Sequence, residues 1–411
     1  MRARLPDMPR WKLLAAVAGV VLLAVAGAGL AVVLGGGDDS APVSRTAPGE
    51  RTSTPARASA PPADERSPSR PRVARSVAAL ARRMPIERKV AALFLLGFQG
   101  QDLNAPIFRR LRQLNLGGIV IDEQNYTSPE QLTSLAGEAV VIARQERHVR
   151  PWVMAPQEGG AANAFRDLPP ATVAADLRSA AQAFREADLA ARTLGGLRVS
   201  GVLAPVGDVA PPEGVALGAR AYSDDPGEVA DYVTAVVDAY RRVRVLSAVG
   251  HFPGLGSGSE DTRLGPAQIG SSLEDLRARD LVPFRAAIRA GVPAVLVGHG
   301  LYVTDDFVVP ASLSRTVTTG LLRGELGFEG VAITDDLADP PITALSSIPN
   351  AAVRALKAGA DLLYLSGPPL EQEAAYAAVL QAVRRGDIGR ARIEEALLRN
   401  LSVKRDYGLV R

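Results

Sequence analysis

Eight short apolar runs, separated by segments of helical period, constrain the fold of this 411-residue chain more than any other feature. Uniform apolar runs of this length are typical of parallel strands buried on both faces. Eight such strands alternating with helices over about 330 residues predict an α/β protein with a (β/α)8 TIM-type barrel. A doubly wound open sheet is the alternative, but the count of eight and the lack of a Gly-rich phosphate loop after the first run favour the barrel. The runs are residues 92–97, 117–121, 152–155, 201–205, 245–249, 294–298, 331–334 and 362–365.

The segments between these runs carry helix signals, and residues 228–241 are the clearest example. Asp225 is placed to cap the helix N-terminus, and Pro226 suits the first helical position. The segment therefore predicts an amphipathic helix that packs on the sheet. Its apolar residues on one face are Val229, Val233, Val236 and Tyr240.

The first 76 residues differ in composition from the rest. Residues 1–12 are basic, and residues 13–34 form an uncharged run of 22 residues, long enough to cross a bilayer as a helix. The positive-inside rule then predicts a single-pass cell-membrane anchor with residues 1–12 in the cytoplasm and the rest outside. A cleaved signal peptide is the alternative, although its apolar region is usually only about 7–15 residues. Residues 35–76, rich in Pro, Ser and Arg, predict a disordered linker before a barrel domain at 77–411.

Composition excludes several classes of site. The chain has no cysteine, so it has neither disulfides nor a thiolate metal site. Its three histidines, His148, His251 and His299, argue against an all-histidine metal site. The net charge of +3 gives no reason to expect a nucleic-acid partner. We therefore expect no metal, no cofactor and no nucleic acid, and we expect a monomer.

Ionisable residues follow five of the predicted strands. The carboxyl ends of barrel strands meet at one rim, where the chemistry of such folds occurs. Each residue has a structural explanation by itself, as a helix cap or a satisfied core histidine, but their convergence favours a binding or catalytic cleft. These residues are Glu158, Asp208, His251, His299 and the pair Asp335-Asp336.

From about residue 76 to residue 409 the chain resembles the N-terminal barrel domain of glycoside hydrolase family 3, in its single-domain bacterial β-N-acetylglucosaminidase branch. The resemblance implies a retaining mechanism with Asp335 as nucleophile, which forms a glycosyl-enzyme intermediate. It also implies that Glu158, Asp208, Arg220, His251 and His299 bind the substrate. The matching stretches are residues 96–98 and 117–120, Gln157-Glu158-Gly159-Gly160, Leu203-Ala204-Pro205-Val206 with Asp208, residues 218–222, His251-Phe252-Pro253-Gly254, and residues 310–314 and 322–330.

The chain departs from the family at the proton donor. The branch has a histidine held by an aspartate two residues earlier, and the matching positions here are Arg263 and Asp261. Arginine cannot relay a proton near neutral pH, since its pKa exceeds about 12. Glu260 and Asp261, in the same loop, are the remaining candidates for the acid/base if burial raises their pKa. The alternative is that both are solvated and pair with Arg263.

Four further positions lack the polar side chains of the family. Pro156, Ala164, Gly250 and Leu255 stand where the family has aspartate, arginine, lysine and histidine, which should weaken the binding of N-acetylglucosamine. Two interpretations remain. One is a membrane-anchored, extracytoplasmic glycosidase that acts on a peptidoglycan-type or other glycan. The other is an inactive relative that binds wall glycan or a partner protein. An unrelated barrel enzyme such as an aldolase is disfavoured, because no lysine follows a predicted strand.

Overall fold

The computed structural model describes residues 73–302 and 309–410. The predicted cytoplasmic segment and anchor, and the linker up to residue 72, lie outside these residues. Within them, none of the helices combines the length and the apolar character that crossing a membrane requires. The first described helix begins at Arg75, two residues before the boundary that the sequence predicted for the barrel domain.

Eight parallel strands form the centre of the described structure. The pairing runs from the last strand, β8 (Leu363–Leu365), to the first, β1 (Phe94–Leu96), and then in chain order to β7 (Val331–Thr334). A parallel bridge between Ile333 and Leu362 joins the two end strands. The predicted α/β barrel, with one strand in each of the eight apolar runs, is therefore confirmed. The strands are β1 Phe94–Leu96, β2 Gly118–Val120, β3 Trp152–Ala155, β4 Gly201–Val202, β5 Leu246–Phe252, β6 Ala294–Val297, β7 Val331–Thr334 and β8 Leu363–Leu365.

The strands read as uniform apolar runs because both of their faces are buried. In β7, for example, Val331 and Ile333 belong to the cluster that fills the barrel interior. Ala332, between them, belongs to the cluster that packs against the surrounding helices. The same two-residue alternation follows from the pleat of any strand. The interior of the barrel is thus a packed core, and an opening can exist only at an end.

Helices surround the barrel. The predicted amphipathic helix is present as α6, and its predicted cap is confirmed: Asp225 Oδ1 accepts hydrogen bonds from the backbone N of Gly227 at 2.7 Å and of Glu228 at 2.9 Å. The longer helices are α1 Arg75–Arg83, α2 Ile86–Ala91, α3 Pro106–Gln113, α4 Pro129–Gln145, α5 Ala180–Gly196, α6 Pro226–Val243, α7 Leu281–Arg289, α8 Ile348–Ala358, α9 Pro369–Arg385 and α10 Arg390–Asp406.

Helix α10 closes the end of the barrel at which the strands begin. Val403 and Tyr407 pack against the interior cluster. Lys404 is buried, and its Nζ donates hydrogen bonds to the carbonyls of Gly117 and Arg150, both at 2.7 Å, just before β2 and β3. With this end closed, a ligand can enter only where the strands end.

A buried carboxylate holds the strands at the closure of the barrel. Asp361, fully buried just before β8, accepts hydrogen bonds from Arg323 at 2.5 Å and from Arg392 at 2.8 Å, and Arg399 lies at 3.4 Å. It also accepts the backbone N of Ala332 in β7 at 3.1 Å. Burial opposes its ionisation, but the three guanidinium groups hold the pKa of Asp361 below its usual range.

Candidate active site

A cavity of about 400 Å³ opens at the end of the barrel where the strands terminate. Four residues that the sequence predicted for the site line it together: Glu158, Arg220, His251 and Asp335. They come from the loops after β3, β4 and β7 and from β5 itself. The parallel barrel therefore brings side chains that are far apart in sequence to one rim, as this fold does in general.

Asp335 is positioned by the strand that it follows. Its backbone N continues the β-ladder by donating to the carbonyl of Val297 at 2.9 Å, so its Cα is fixed. Its Oδ1 accepts the backbone N of Asp336 at 3.0 Å. The side chain is partly exposed and lines the cavity. A carboxylate on a rigid strand end, with one oxygen held by a backbone N–H and the residue at the cavity surface, is suited to nucleophilic attack.

Glu158 and Arg220 form a bidentate ion pair in the cavity wall. The Nε and Nη2 of Arg220 lie 2.6 Å and 2.8 Å from the two carboxylate oxygens of Glu158. Burial would lower the pKa of Arg220, but the carboxylate of Glu158 raises it above its usual value. Both side chains are largely buried, so the pair holds its geometry without a ligand.

His251 is oriented by Asp208 from below the cavity. The Nδ1 of His251 lies 2.7 Å from Asp208 Oδ2, and its Nε2 lies 3.4 Å from Arg220 Nη2. Burial lowers the pKa of His251, but Asp208 and then Asp335 outweigh this and raise it. The ring is therefore fixed, with Nε2 towards the cavity.

Asp208 and His299, which the sequence predicted to bind substrate, are not at the cavity surface. Both side chains are fully buried, and neither lines the cavity. Asp208 uses its oxygens on His251 and on the backbone N of Leu255, at 2.6 Å. His299 lies between Ser312 Oγ and the carbonyl of Asp336, both at 2.8 Å, and burial lowers its pKa. Both residues position the groups that line the cavity.

Neither of the two predicted proton donors, Glu260 and Asp261, lines the cavity. Asp261 is tied to Arg263 by hydrogen bonds of 2.5–3.1 Å, and Arg220 Nη1 lies 3.6 Å away. Burial raises the pKa of Asp261, but the bonds from Arg263 lower it overall, so this carboxyl stays ionised. Glu260 packs back against Gly265 and does not line the cavity. The pairing of Asp261 with Arg263, which the alternative included, is present, but the side chain of Asp261 is largely buried and not solvated.

Two acidic residues of the β7 loop were not given a chemical role from sequence. Asp336 lines the cavity, and its Oδ1 accepts the backbone N of Ala338 and of Ser366, both at 2.9 Å, so it fixes the loop. Asp339 also lines the cavity. Burial, followed by the charges of Asp335, Asp336 and Asp261, raises the pKa of Asp339 to about 9. The sequence did contain a third aspartate, Asp339, four residues after Asp335. It was not identified because only the residues directly after each strand were considered.

The four positions that lack polar family side chains fall into two groups. Pro156 and Ala164 line the cavity, so its wall is apolar there. Gly250 and Leu255 do not line it: a Cβ on Gly250 would meet Leu296, and Leu255 is buried. In this chain, only Pro156 and Ala164 of the four are themselves at the cavity surface.

Comparison with known proteins places these features in one family. Residues 85–403 match the family model described as glycosyl hydrolase family 3 N terminal domain. A beta-hexosaminidase of Stenotrophomonas maltophilia (strain K279a) is 34% identical over 319 residues, which are 72% of this chain and 92% of that protein. A beta-hexosaminidase of Xylella fastidiosa (strain 9a5c) is 34% identical over 296 residues, 69% of this chain and 85% of the relative.

Solved structures agree. A glycoside hydrolase family 3 beta-N-acetylglucosaminidase from Paenibacillus sp. str. FPU-7 superposes with a TM-score of 0.75 at 31% identity, over 79% of this chain. The chain spans 63% of the length of that enzyme. A beta-N-acetylhexosaminidase from Beutenbergia cavernae DSM 12333 superposes with a TM-score of 0.72 at 25% identity, over 78% of this chain and 98% of the other.

Proposed function

Since this chain belongs to glycosyl hydrolase family 3, we propose that it is a retaining β-N-acetylhexosaminidase acting on a peptidoglycan-type or other glycan. The observation that carries the proposal is the position of Asp335. It is a partly exposed carboxylate at the end of β7, and it lines the same cavity as the Glu158–Arg220 pair and His251. The relatives named above as beta-hexosaminidases support the class of substrate.

The proposed chemistry follows from the geometry. Asp335 attacks the anomeric carbon, forming a glycosyl-enzyme bond as the bond to the leaving oxygen breaks, and water then releases the sugar. Glu158, held on both oxygens by Arg220, keeps lone pairs for sugar hydroxyls, and His251 Nε2 offers a further hydrogen-bonding group. Pro156 and Ala164 offer no charge-assisted bond, so we expect the sugar to bind more weakly than in relatives with charged groups there.

The proposed location is the outer face of the cell membrane, with residues 13–34 as anchor and residues 1–12 in the cytoplasm. Its support is the uncharged run of 22 residues behind a basic segment. Membrane fractionation with N-terminal sequencing tests it. Recovery of all the protein in the soluble fraction, with a new N-terminus near Gly29, would establish a cleaved signal peptide instead.

A non-catalytic relative that binds glycan is the second candidate. The observation that favours it is Arg263 at the position of the proton-transfer histidine, with Asp261 held by that arginine. Such a protein would keep the Glu158–Arg220 pair for binding and would not need Asp335 as a nucleophile.

One experiment separates the two candidates. The full chain in detergent is assayed with para-nitrophenyl N-acetyl-β-glucosaminide, in parallel with Asp335→Asn and with Asp224→Asn, which removes an exposed carboxylate from the loop after β4. We expect Asp335→Asn to abolish turnover and Asp224→Asn to leave it unchanged. A fluorosugar that slows hydrolysis of the intermediate should label the peptide containing Asp335. Glycan binding without turnover in all three proteins would instead establish the binding role.

A further inference from the structure

A retaining glycosidase needs a group that protonates the leaving oxygen and then deprotonates water. The described site has no such group where the family places it, because Arg263 stays charged and Asp261 is ionised beside it. Glu260 does not line the cavity. The remaining candidates for a proton donor are the other carboxyl groups that line the cavity.

Asp339 is the carboxyl group of the cavity that no structural contact accounts for. It precedes the short helix Pro340–Thr343, and its side chain makes no capping hydrogen bond to it. Within residues 73–302 and 309–410 its carboxyl group forms neither an ion pair nor a hydrogen bond, although its backbone N donates to the carbonyl of Asp336 at 2.9 Å. By contrast, Asp336 is held by two backbone groups. Asp339 is thus free to contact a ligand.

The charges around Asp339 come from two loops. Asp335 and Asp336, on its own loop, and Asp261, on the loop after β5, oppose its ionisation, whereas Arg263 favours it. Asp261 and Arg263 occupy the positions of the aspartate–histidine pair in the family. Asp339 therefore lines the same cavity as Arg263, which stands where the family has the imidazole, and it is close enough to Asp261 and Arg263 to sense their charges.

Burial and the charges of Asp335, Asp336 and Asp261 raise the pKa of Asp339, which favours the protonated form of this carboxyl group in the cavity wall. A protonated carboxyl group is a hydrogen-bond donor and a proton source, whereas Asp261 in its ionised form is neither. Pairs of carboxyl groups with different protonation states are how glycosidases divide the roles of acid and nucleophile.

We propose that Asp339 is the general acid/base of this enzyme, in place of the histidine whose position Arg263 occupies. The inference rests on the proposed glycosidase function. In the first step Asp335 bonds to the anomeric carbon, the glycosidic bond breaks, and the proton of Asp339 passes to the leaving oxygen. In the second step the Asp339 carboxylate takes a proton from water. The resulting hydroxide oxygen bonds to the anomeric carbon, and Asp335 is released as carboxylate.

The test compares leaving groups. Wild type, Asp339→Asn and the control Asp224→Asn are assayed with a dinitrophenyl and with a methyl N-acetyl-β-glucosaminide. General acid catalysis contributes about 10²–10⁴-fold, and a dinitrophenolate needs no proton to leave. We expect Asp339→Asn to lose kcat/KM by that factor on the methyl glycoside and by less than about tenfold on the dinitrophenyl glycoside. The decrease of the wild-type kcat/KM at alkaline pH on the methyl glycoside should be absent in Asp339→Asn.

Two further measurements keep the result interpretable. Azide should accelerate Asp339→Asn on the dinitrophenyl glycoside and give a β-glycosyl azide, since an anion needs no base to attack the intermediate. Adding Arg263→His to Asp339→Asn should raise kcat/KM on the methyl glycoside at least tenfold, because Asp261 can then orient the new imidazole. The dinitrophenyl activity of each variant verifies that it is folded.

The failures are distinguishable. If wild type cleaves both glycosides, and Asp339→Asn cleaves both equally well with the same decrease at alkaline pH, the role of Asp339 is overturned while the glycosidase function stands. If Asp261→Asn, and not Asp339→Asn, removes that decrease, Asp261 is the acid/base. If wild type cleaves neither glycoside and no fluorosugar labels Asp335, the glycosidase function and the role of Asp339 fail together.

Discussion

Asp208 organises the site although it never reaches the cavity. One oxygen accepts the backbone N of His251 at 3.0 Å as well as its ring Nδ1, and the other accepts the backbone N of Leu255. A buried carboxylate is stable only when its lone pairs are satisfied in this way. The ring of His251 and the start of the following loop therefore depend on one side chain.

Asp208→Asn should lower the pKa of His251, because the charge that offsets its burial is lost. A raised folded pKa means that this pair stabilises the fold fully below the unfolded pKa of histidine, about 6.5, and loses that contribution as pH rises through the folded pKa. The loss of unfolding free energy, about 1–3 kcal/mol, should thus be larger at pH 6 than at pH 9. Urea denaturation at both pH values measures it. An equal loss at both would mean that His251 is neutral throughout.

Some residues of the candidate site could be predicted from the sequence and others could not. Glu158, His251 and Asp335 were identified because the strand order brings their loops to one rim, whereas Arg220 was identified only through the resemblance to the family. Depth below that rim is invisible in a sequence, so Asp208 was assigned to the cavity surface although it lies beneath it. The pKa of a carboxyl group depends on neighbours from other loops, so the sequence could not single out Asp339.

Among the secondary-structure elements, the positions of the strands were predictable from the sequence, but the hydrogen-bonding pattern of the helices was not. Each strand begins within an apolar run, because burial of both faces leaves a direct trace in the sequence, and only β5 continues beyond its run, to Phe252. Leu276–Asp280 and Thr316–Glu325 are π-helical, and nothing in their periodicity distinguishes this from an α-helix. The two-residue strands Gln268–Ile269 and Leu301–Tyr302 pair with each other and were too short to predict.

Helix α6 offers a test of local stability. Asp225 caps it with two hydrogen bonds, and Pro226 occupies the first helical position. Asp225→Ala should lower the unfolding free energy by about 1 kcal/mol, whereas Asp225→Asn should change it by only a few tenths of that, because asparagine also caps. Urea denaturation compares the three proteins. If the alanine and asparagine variants are equally destabilised, the charge at the helix end matters more than the cap.

The whole barrel depends on contacts that join the ends of its sheet. Asp361 links β7, through Ala332, to Arg392 and Arg399 on α10. Arg323 joins the same carboxylate and donates to the carbonyl of Phe328 at 2.7 Å. None of these long-range pairings was predicted, because buried arginines and a buried aspartate in a sequence resemble surface charges.

Asp361→Asn should be strongly destabilising, by about 3–5 kcal/mol at pH 7, because it leaves buried guanidinium groups without their charge partner. The lowered pKa of Asp361 means that its contribution is present above the unfolded pKa, about 3.9, and is lost as pH falls through the folded pKa. The difference in unfolding free energy between Asp361→Asn and wild type, measured by urea denaturation, should therefore become smaller at acidic pH. The control is Asp387→Asn, which removes one partner of the exposed Arg385–Asp387 ion pair. It should lower the unfolding free energy by less than about 1 kcal/mol. Equal losses in the two variants would contradict this account.

Helix α10 also sets the order in which the chain can fold. Residues 390–406 leave the ribosome after all eight strands, yet Asn400 donates to the carbonyl of Ala92 and accepts from Trp152 Nε1, contacts 308 and 248 residues apart. A nascent chain that stops before residue 390 holds every strand but leaves the lower end of its barrel open to water. Contacts over such distances slow folding. Completion of the barrel must therefore wait until residues 390–406 have been synthesised, although every strand is already present by then.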